Sequence, residues 1–309
     1  MTKRFLVTGG CGFIGSHLCE ALVKDSNEVI VIDDLSTGRL DNLNDVRSQI
    51  EFIQCRVEDY PLAELNKLEG VFHLAAQASV PVSIDNFFES SKTNLLSSLK
   101  LIEHCSKTET PFVYASSSGI YGDIEFGVET GSHDLLSPYA CDKYAMEIYC
   151  EMASSLYGLA SIGLRFFNVY GPRQDPINPY SGVISIFTKR ILCGTTITIN
   201  GGHQTRDFVY IDDVVKALTT AIRNIKEKPG CLVSNVLTGN ETSIDDLASI
   251  LMDLIGQKVG VNRRELAKGD PKISNGDIRT MQSLLGFTAS TPLRDGLKTT
   301  IDWMAKDAP

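Results

Sequence analysis

Histidine and tryptophan are scarce in this chain of 309 residues, at five and one. Eight cysteines (11, 19, 55, 105, 141, 150, 193, 231) are scattered without a C-x-x-C pair or a neighbouring cluster of histidines. Neither a zinc site nor a disulfide framework is therefore expected, and the thiols read as reduced and mostly buried, with no metal in the site. Positive charge is also in short supply. Against 38 acidic residues stand 29 lysines and arginines, a net charge of -9, which gives no basic field for a polyanion such as nucleic acid. A small anionic ligand needs only a few local cations. No stretch approaches 18 uninterrupted apolar residues, and the N-terminus, Met1-Thr-Lys-Arg-Phe-Leu-Val-Thr-Gly-Gly, lacks the apolar core of a signal peptide. The expectation is a cytoplasmic protein that does not span a membrane.

What the chain does have is ordinary globular composition, 43% hydrophobic and 22% charged, and a regular alternation of short β-rich runs with helical ones. Strands are predicted at Arg4 to Thr8, Val29 to Asp33, Ile50 to Gln54, Val71 to Leu74, Phe112 to Ser116 and Ser161 to Phe166. Between them lie helical segments at Phe13 to Lys24, Leu62 to Lys67, Ile84 to Ser106 and Pro138 to Tyr157. Alternation of this kind implies parallel strands joined by crossovers, a doubly wound α/β (Rossmann) sheet. After Asn168 a Pro/Gly/Asn-rich loop leads to a helix near Val183 to Cys193 and a strand at Thr196 to Ile199. A helix near Ile211 to Ile225 and a strand at Leu232 to Val236 return to the first domain, and helices near Ser243 to Ile255 and Leu293 to Ala305 close the chain. We expect residues 1–167 plus 211–238 to form the dinucleotide-binding domain and residues 168–210 plus 239–309 a smaller, interleaved substrate lobe.

The first strand runs into Thr8-Gly9-Gly10-Cys11-Gly12-Phe13-Ile14-Gly15. Gly9 permits a tight turn, Gly12 lets backbone N–H groups approach a pyrophosphate, and Gly15 allows close packing of a helix whose N-terminus favours negative charge. The second strand ends at Asp33, 18 residues after Gly15, where a carboxylate can accept hydrogen bonds from an adenosine ribose. Asp33 and Asp34 would repel the 2′-phosphate of NADP, and the nearest arginine is Arg39, six residues on. NAD is the expected cofactor.

Ser137-Pro138 can cap and start a helix that carries Tyr139 and Lys143 one turn apart on one face. A phenol titrates near 10, and making it a base near pH 7 takes roughly 4 kcal/mol. One ion pair does not supply that. Lys143 acting together with the positive nicotinamide ring can, which ties this tyrosine to the cofactor. The segment Val113-Tyr-Ala-Ser-Ser-Ser-Gly-Ile-Tyr-Gly122 ends a strand, where ligands of open α/β sheets bind and serine hydroxyls can share a substrate proton.

Taken in order, TGGCGFIGSH, VIDDLSTG, HLAAQASV, SSSGIYG, SPYACDK, LRFFNVYGPRQDP and GGHQTRDFVYIDDV resemble the extended short-chain dehydrogenase/reductase family, in its nucleotide-sugar epimerase/dehydratase branch. The resemblance implies Tyr139 as base, Lys143 holding the nicotinamide ribose, and Ser117 as hydroxyl partner, with Ser116 or Ser118 as alternatives. It implies Gly9, Gly12, Phe13, Ile14, Gly15, Asp33, Asp34, Ser36, Gly38, Leu74, Ala75, Ala76, Gln77, Asn94, Ser116 and Phe166 along the cofactor. Ser79, Ser117, Ser118, Asn168, Gln174, Arg206, Asp270 and Ser274 would face the nucleotide sugar, with Asn168 and Arg206 at its diphosphate; a salt bridge from Arg206 to Asp207 is the plainer reading of that arginine.

A 4-epimerase needs only the base and the cofactor, whereas similar dehydratases carry an acid in the segment aligned with Ser118-Gly119-Ile120, which has none here. Epimerisation of a UDP-hexose is therefore the first expectation, dehydration the second, and a non-catalytic NAD(H)-binding regulator a remote third. Ser274 aligns with a gate residue that is small in similar enzymes admitting N-acetyl sugars, and Ala78 and Gly182 are small too. These imply UDP-N-acetylglucosamine/galactosamine or its uronic acid, with UDP-glucose/galactose as further substrates. Two departures stand out: Arg56 replaces an aspartate expected near the adenine, and Ala267 replaces an arginine expected near the diphosphate, with Lys268 or Arg264 as substitutes. Helices near Ser91 to Ser106 and Met146 to Leu156 carry apolar residues on more than one side, which fits a homodimer formed through a four-helix contact.

Overall fold

The computed structural model describes residues 3–65, 67–176, 182–227, 230–266 and 271–306. The first half of the chain forms β1 (Arg4–Thr8), α1 (Phe13–Lys24), β2 (Glu28–Asp33), β3 (Ile50–Gln54), β4 (Gly70–His73), α2 (Val80–Asp85), α3 (Phe87–Ser91), α4 (Ser97–Thr108), β5 (Phe112–Ser117), the two-residue β6 (Phe126–Gly127), α5 (Pro138–Tyr157) and β7 (Ser161–Phe166). The second half forms β8 (Asn168–Tyr170), α6 (Val183–Leu192), β9 (Ile197–Asn200), β10 (Thr205–Tyr210), α7 (Ile211–Glu227), β11 (Cys231–Val236), β12 (Glu241–Ser243), α8 (Ile244–Ile255), β13 (Val261–Arg264), β14 (Ile273–Gly276), α9 (Arg279–Leu285) and α10 (Leu293–Ala305).

Seven strands make one parallel sheet in the order β3-β2-β1-β4-β5-β7-β11. Both faces are covered. Val7, Leu18, Leu22, Ala217 and Leu218 pack on one side with α1 and α7, and Leu6, Ile30, Leu101, Phe112, Met146 and Cys150 on the other with α4 and α5. Strands buried on both faces read as continuous apolar runs, which is why they were legible in the sequence. The strand order reverses between β1 and β4, so the connections leave on opposite sides and a crevice opens at their carboxyl ends. His73 bridges its floor, bonded to the Thr8 hydroxyl (2.7 Å) and the Ser98 hydroxyl (2.9 Å). Burial pulls this imidazole down to about 3, so it sits there neutral.

A smaller sheet centres on β10, which pairs with β8 and β14 in parallel and with β12 antiparallel, while β14 also pairs with β6. None of β6, β8, β10, β12 and β14 is predicted from the sequence. Each is two to six residues long, and such strands are specified by distant partners rather than by local pattern. Two predicted helices also differ. Leu62 to Lys67 is a single tight turn at Leu62–Glu64, too short to propagate. Ile84 to Ser106 is broken at Asn86 (φ -146°, ψ 70°) and widened at Lys92–Leu96 into a π-type turn. Of the cysteines, 11, 19, 105 and 150 are buried, 55 and 231 partly so, and Cys141 and Cys193 are exposed; all are free thiols.

The turn after β1 shows how little room the crevice leaves. Gly9 has φ 70°, and a Cβ there would lie 2.6 Å from the Ala75 backbone nitrogen. Gly9→Ala should therefore destabilise the fold by about 2 to 4 kcal/mol, from left-handed strain plus displacement of the loop that follows β4. Urea unfolding checks this, and a wild-type midpoint would refute it.

Candidate active site

A cleft of about 1050 Å³ runs along the carboxyl ends of β1, β2 and β4. Gly9, Gly12, Phe13, Ile14, Gly15, Asp33, Asp34, Ser36, Gly38 and Leu74 to Gln77 all line it. At one end α1 begins with Gly12 as N-cap, no side chain capping it and no acidic residue in its first turn. Its first N–H groups thus face the cleft as a partial positive charge. A Cβ at Gly15 would meet the Gly10 Cα at 2.8 Å, so only glycine lets helix and turn approach. This cradle fits a dinucleotide diphosphate.

Further along, the Asp33 carboxylate accepts from the Cys11 N–H (2.9 Å) and the Leu35 N–H (2.8 Å). Burial, reinforced by Asp34 and opposed by these two bonds, raises its pKa. Asp34 meets Arg56 at 3.6 Å, and Arg56 also approaches Glu58 at 3.6 Å. The departure noted at Arg56 thus puts a half-exposed guanidinium against an acid in the cleft wall. Arg39 reaches across to Asp175 (3.3 Å). Gln77 is fixed by Asn94, which accepts from its N–H (2.7 Å) and donates to its carbonyl (3.1 Å). Asn94 occupies the π-type turn, and that widening turns its side chain inward.

The cleft lining extends to Ala115 near the end of β5. Ser137 caps α5 by accepting from the Ala140 N–H, and Pro138 occupies the first turn. Tyr139 and Lys143 then face β5. The Tyr139 phenol lies near enough to the Ser117 hydroxyl for that hydroxyl to lower its pKa, and the Ser117 hydroxyl accepts from the Gly119 N–H (3.0 Å). Lys143 donates to the Ala115 carbonyl (2.7 Å), with Nζ 5.7 Å from the Tyr139 ring centre. Ser116, the neighbouring serine, gives its hydroxyl to Glu147 (2.5 Å). Ser118 is partly buried, and Phe166 lies buried in register with Ser117 on the adjacent strand.

Burial raises the Tyr139 pKa while the nearby Ser117 hydroxyl lowers it. Burial likewise pulls Lys143 down to about 8, and Asp142 works against that shift. The protein alone therefore does not make Tyr139 a base. A positive charge beside the ring would lower the phenol's pKa.

Asn168 and Arg206 come together on the smaller sheet with Ser274. Arg206 is the register partner of Ser274, and the Asn168 amide donates to the Asp207 carbonyl (3.0 Å) and the Ser274 hydroxyl (3.5 Å). Arg206 donates to the carbonyls of Thr205 (2.7 Å) and Pro271 (2.8 Å). The Asp207 carboxylate accepts from the N–H groups of Thr238, Gly239 and Asn240. Gln174 lines the cleft and donates to the Val169 carbonyl (3.1 Å), while Ser79 caps α2. Arg264 ends the exposed β13. Asp270, Ala267 and Lys268 lie outside the described residues. Sequence reasoning missed Arg173, which lines the cleft, pairs with Glu20 and keeps a buried Nη1 without a hydrogen-bond partner among the described residues. Nothing local in the sequence marks it.

Residues 5–236 match the pattern of the NAD dependent epimerase/dehydratase family. The chain belongs to that family. It is 35% identical over 312 residues to UDP-glucose 4-epimerase of Mycolicibacterium smegmatis, covering 97% of this chain and 98% of the relative. Among solved structures, UDP-glucose 4-epimerase of Thermotoga maritima with UDP-glucose superposes with a TM-score of 0.92 at 38% identity, over 99% of this chain and 100% of that one. UDP-N-acetylglucosamine 4-epimerase of Methanobrevibacter ruminantium in complex with UDP-N-acetylmuramic acid gives 0.94 at 35% identity, over 99% of both. Among the described residues no helix is long and apolar enough to cross a membrane.

The buried ammonium carries a stability consequence. A lysine that titrates at about 8 when folded and near 10.4 when unfolded binds its proton less tightly in the native state. Its burden is full below pH 8 and is relieved as pH rises toward the unfolded value. The shift is worth roughly 3 kcal/mol, less about 1 for the bond to Ala115. Lys143→Met should therefore melt a few degrees higher than the parent at pH 7, and that advantage should shrink between pH 8 and pH 10. Thermal scans at both ends of the window decide it.

Proposed function

We propose that this enzyme is an NAD-dependent 4-epimerase of a UDP-hexose, working through a 4-keto sugar. The observation that carries the reading is the Tyr139 phenol beside Ser117, with the buried Lys143 ammonium 5.7 Å from its ring centre, at the end of β5. NAD held in the cleft would supply a two-electron acceptor for the C4 hydride of the sugar, reversible so that the hydride can return to the other face. Tyr139 takes the proton of the 4-hydroxyl and gives it back, Ser117 shares that proton, and Lys143 holds the phenolate and the nicotinamide ribose. The cleft-lining residues expected from the sequence, from Gly9 to Gln77, are assigned to the cofactor, with Asn94 bonded behind Gln77 and Phe166 in register with Ser117. Residues 168–210 and 239–309 are the nucleotide-sugar lobe, in which Asn168 and Arg206 face the diphosphate and Gln174, Asp270 and Ser274 the remainder of the ligand, together with Ser79 and Ser118 from the other side.

The small side chain of Ser274 supports UDP-N-acetylglucosamine/galactosamine or its uronic acid as substrate, with UDP-glucose/galactose also admitted. The absence of an acid at 118–120 favours epimerisation over dehydration, since loss of the 6-hydroxyl needs a proton donor. Incubation with a panel of UDP-, dTDP- and GDP-sugars tests the reading. A product of unchanged mass inverted at C4 is expected; loss of water would mean a dehydratase, and NADH binding without turnover a regulator. Tyr139→Phe should lower kcat by about 10²- to 10⁴-fold. Ser274→Tyr should cut turnover of UDP-N-acetylglucosamine at least tenfold while sparing UDP-glucose, and equal turnover of both would remove the gate.

We infer in addition a homodimer formed through α3 and α5 with the π-type turn before α4. Phe87, Phe88 and Leu156 are 64%, 69% and 66% exposed, and Leu96, Ile148 and Met152 continue the same apolar surface, more than a monomer commonly leaves to water. Phe88→Glu with Leu156→Glu should sediment as a monomer where the parent sediments as a dimer.

A further inference from the structure

We propose that Ser116, Glu147 and Arg165 are positioning residues that hold Ser117 against the phenol; the inference rests on the assignment of Tyr139 as base. Tyr139, Lys143 and Glu147 stand one turn apart on a single face of α5, and each engages one of three consecutive residues at the end of β5. Tyr139 lies beside the Ser117 hydroxyl, Lys143 donates to the Ala115 carbonyl, and Glu147 accepts from the Ser116 hydroxyl. The third of these contacts leads away from the reaction and ends on a buried ion pair.

Arg165, 2% exposed, is the register partner of Ser116 on β7, so both side chains project from the same face of the sheet toward Glu147. Arg165 donates from Nε to Glu147 Oε1 (2.9 Å) and from Nη2 to Oε2 (2.6 Å). Its Nη1 donates to the Tyr121 hydroxyl (2.9 Å), which donates in turn to Asn235 (2.7 Å). His133 faces the same guanidinium at 3.1 Å, and the Glu129 carbonyl closes the ring of partners. Removing a carboxylate and a guanidinium from water costs several kcal/mol each, and apolar residues of similar size commonly stabilise a core as well or better. Stability alone gives weak reason for a charge pair here. Its placement gives a stronger one: Ser117 is the last residue of β5, followed at once by the tight turn Ser118–Tyr121, and strand ends are where pairing loosens. The sideways bond from Ser116 to a carboxylate locked by Arg165 holds that last residue in register, and a displacement near 1 Å at reacting groups can cost about a hundredfold in rate.

Ser116→Ala in the full-length, NAD-loaded protein is the test, because it removes the bond and leaves the ion pair intact. We expect kcat to fall roughly 10- to 100-fold with KM nearly unchanged. Moving the Ser117 hydroxyl, which lowers the Tyr139 pKa, away from the phenol should also move the acidic limb of the kcat profile to higher pH. Ultraviolet difference titration against Tyr139→Phe should show the same rise in the phenol without any turnover. Ser116→Thr, which keeps the hydroxyl, should restore rate and limb together. A wild-type rate in Ser116→Ala, or a loss of rate with both the limb and the titration unmoved, overturns the positioning role. Should Tyr139→Phe itself remain active, the base assignment falls and the proposal falls with it.

Discussion

Lys143 donates its ammonium to the Ala115 carbonyl at 2.7 Å, and that contact fixes how α5 meets the end of β5. A charge with almost no access to water must find a partner of fixed geometry. The partner is a backbone carbonyl of the strand that carries the serines, so helix and strand cannot slide past each other without stranding the ammonium. Tyr139 and Glu147 meet Ser117 and Ser116 one turn to either side. The Ser117 hydroxyl, the phenol and the ammonium are thus positioned by packing the protein cannot easily relax.

Such an arrangement is built against stability. Burial depresses Lys143 and raises Tyr139, Asp33 and Asp207, all in the direction that disfavours the charged form. The parallel sheet beneath them, apolar on both faces, offsets this, and Tyr139, whose phenolate would gain from a positive ring beside it, is among the groups the fold alone leaves uncomfortable. This is why the catalytic reading of the tyrosine and the dinucleotide reading of the glycine turn support one another.

The topology does the remaining work. Reversal of strand order between β1 and β4 opens one crevice, and the glycine turn, Asp33 and the Leu74 to Gln77 loop line it because each follows directly from the carboxyl end of its strand. The smaller sheet then sets Asn168, Arg206 and Ser274 side by side through β8, β10 and β14.

The sequence by itself determined the large sheet, the glycine turn with Asp33 behind it, and the Tyr139/Lys143 pair, because each of these is written in local pattern: apolar runs of strand length, glycines at fixed spacing, a four-residue helical repeat. Only the tertiary structure decided which serine meets the phenol. Ser116, Ser117 and Ser118 are chemically alike, and what separates them is that Arg165 and Glu147, distant in sequence, claim the first. The small sheet, the break at Asn86 and the inward turn of Asn94 were hidden for the same reason. Short strands and interrupted helices take their shape from partners far along the chain, and no window of neighbouring residues contains those partners.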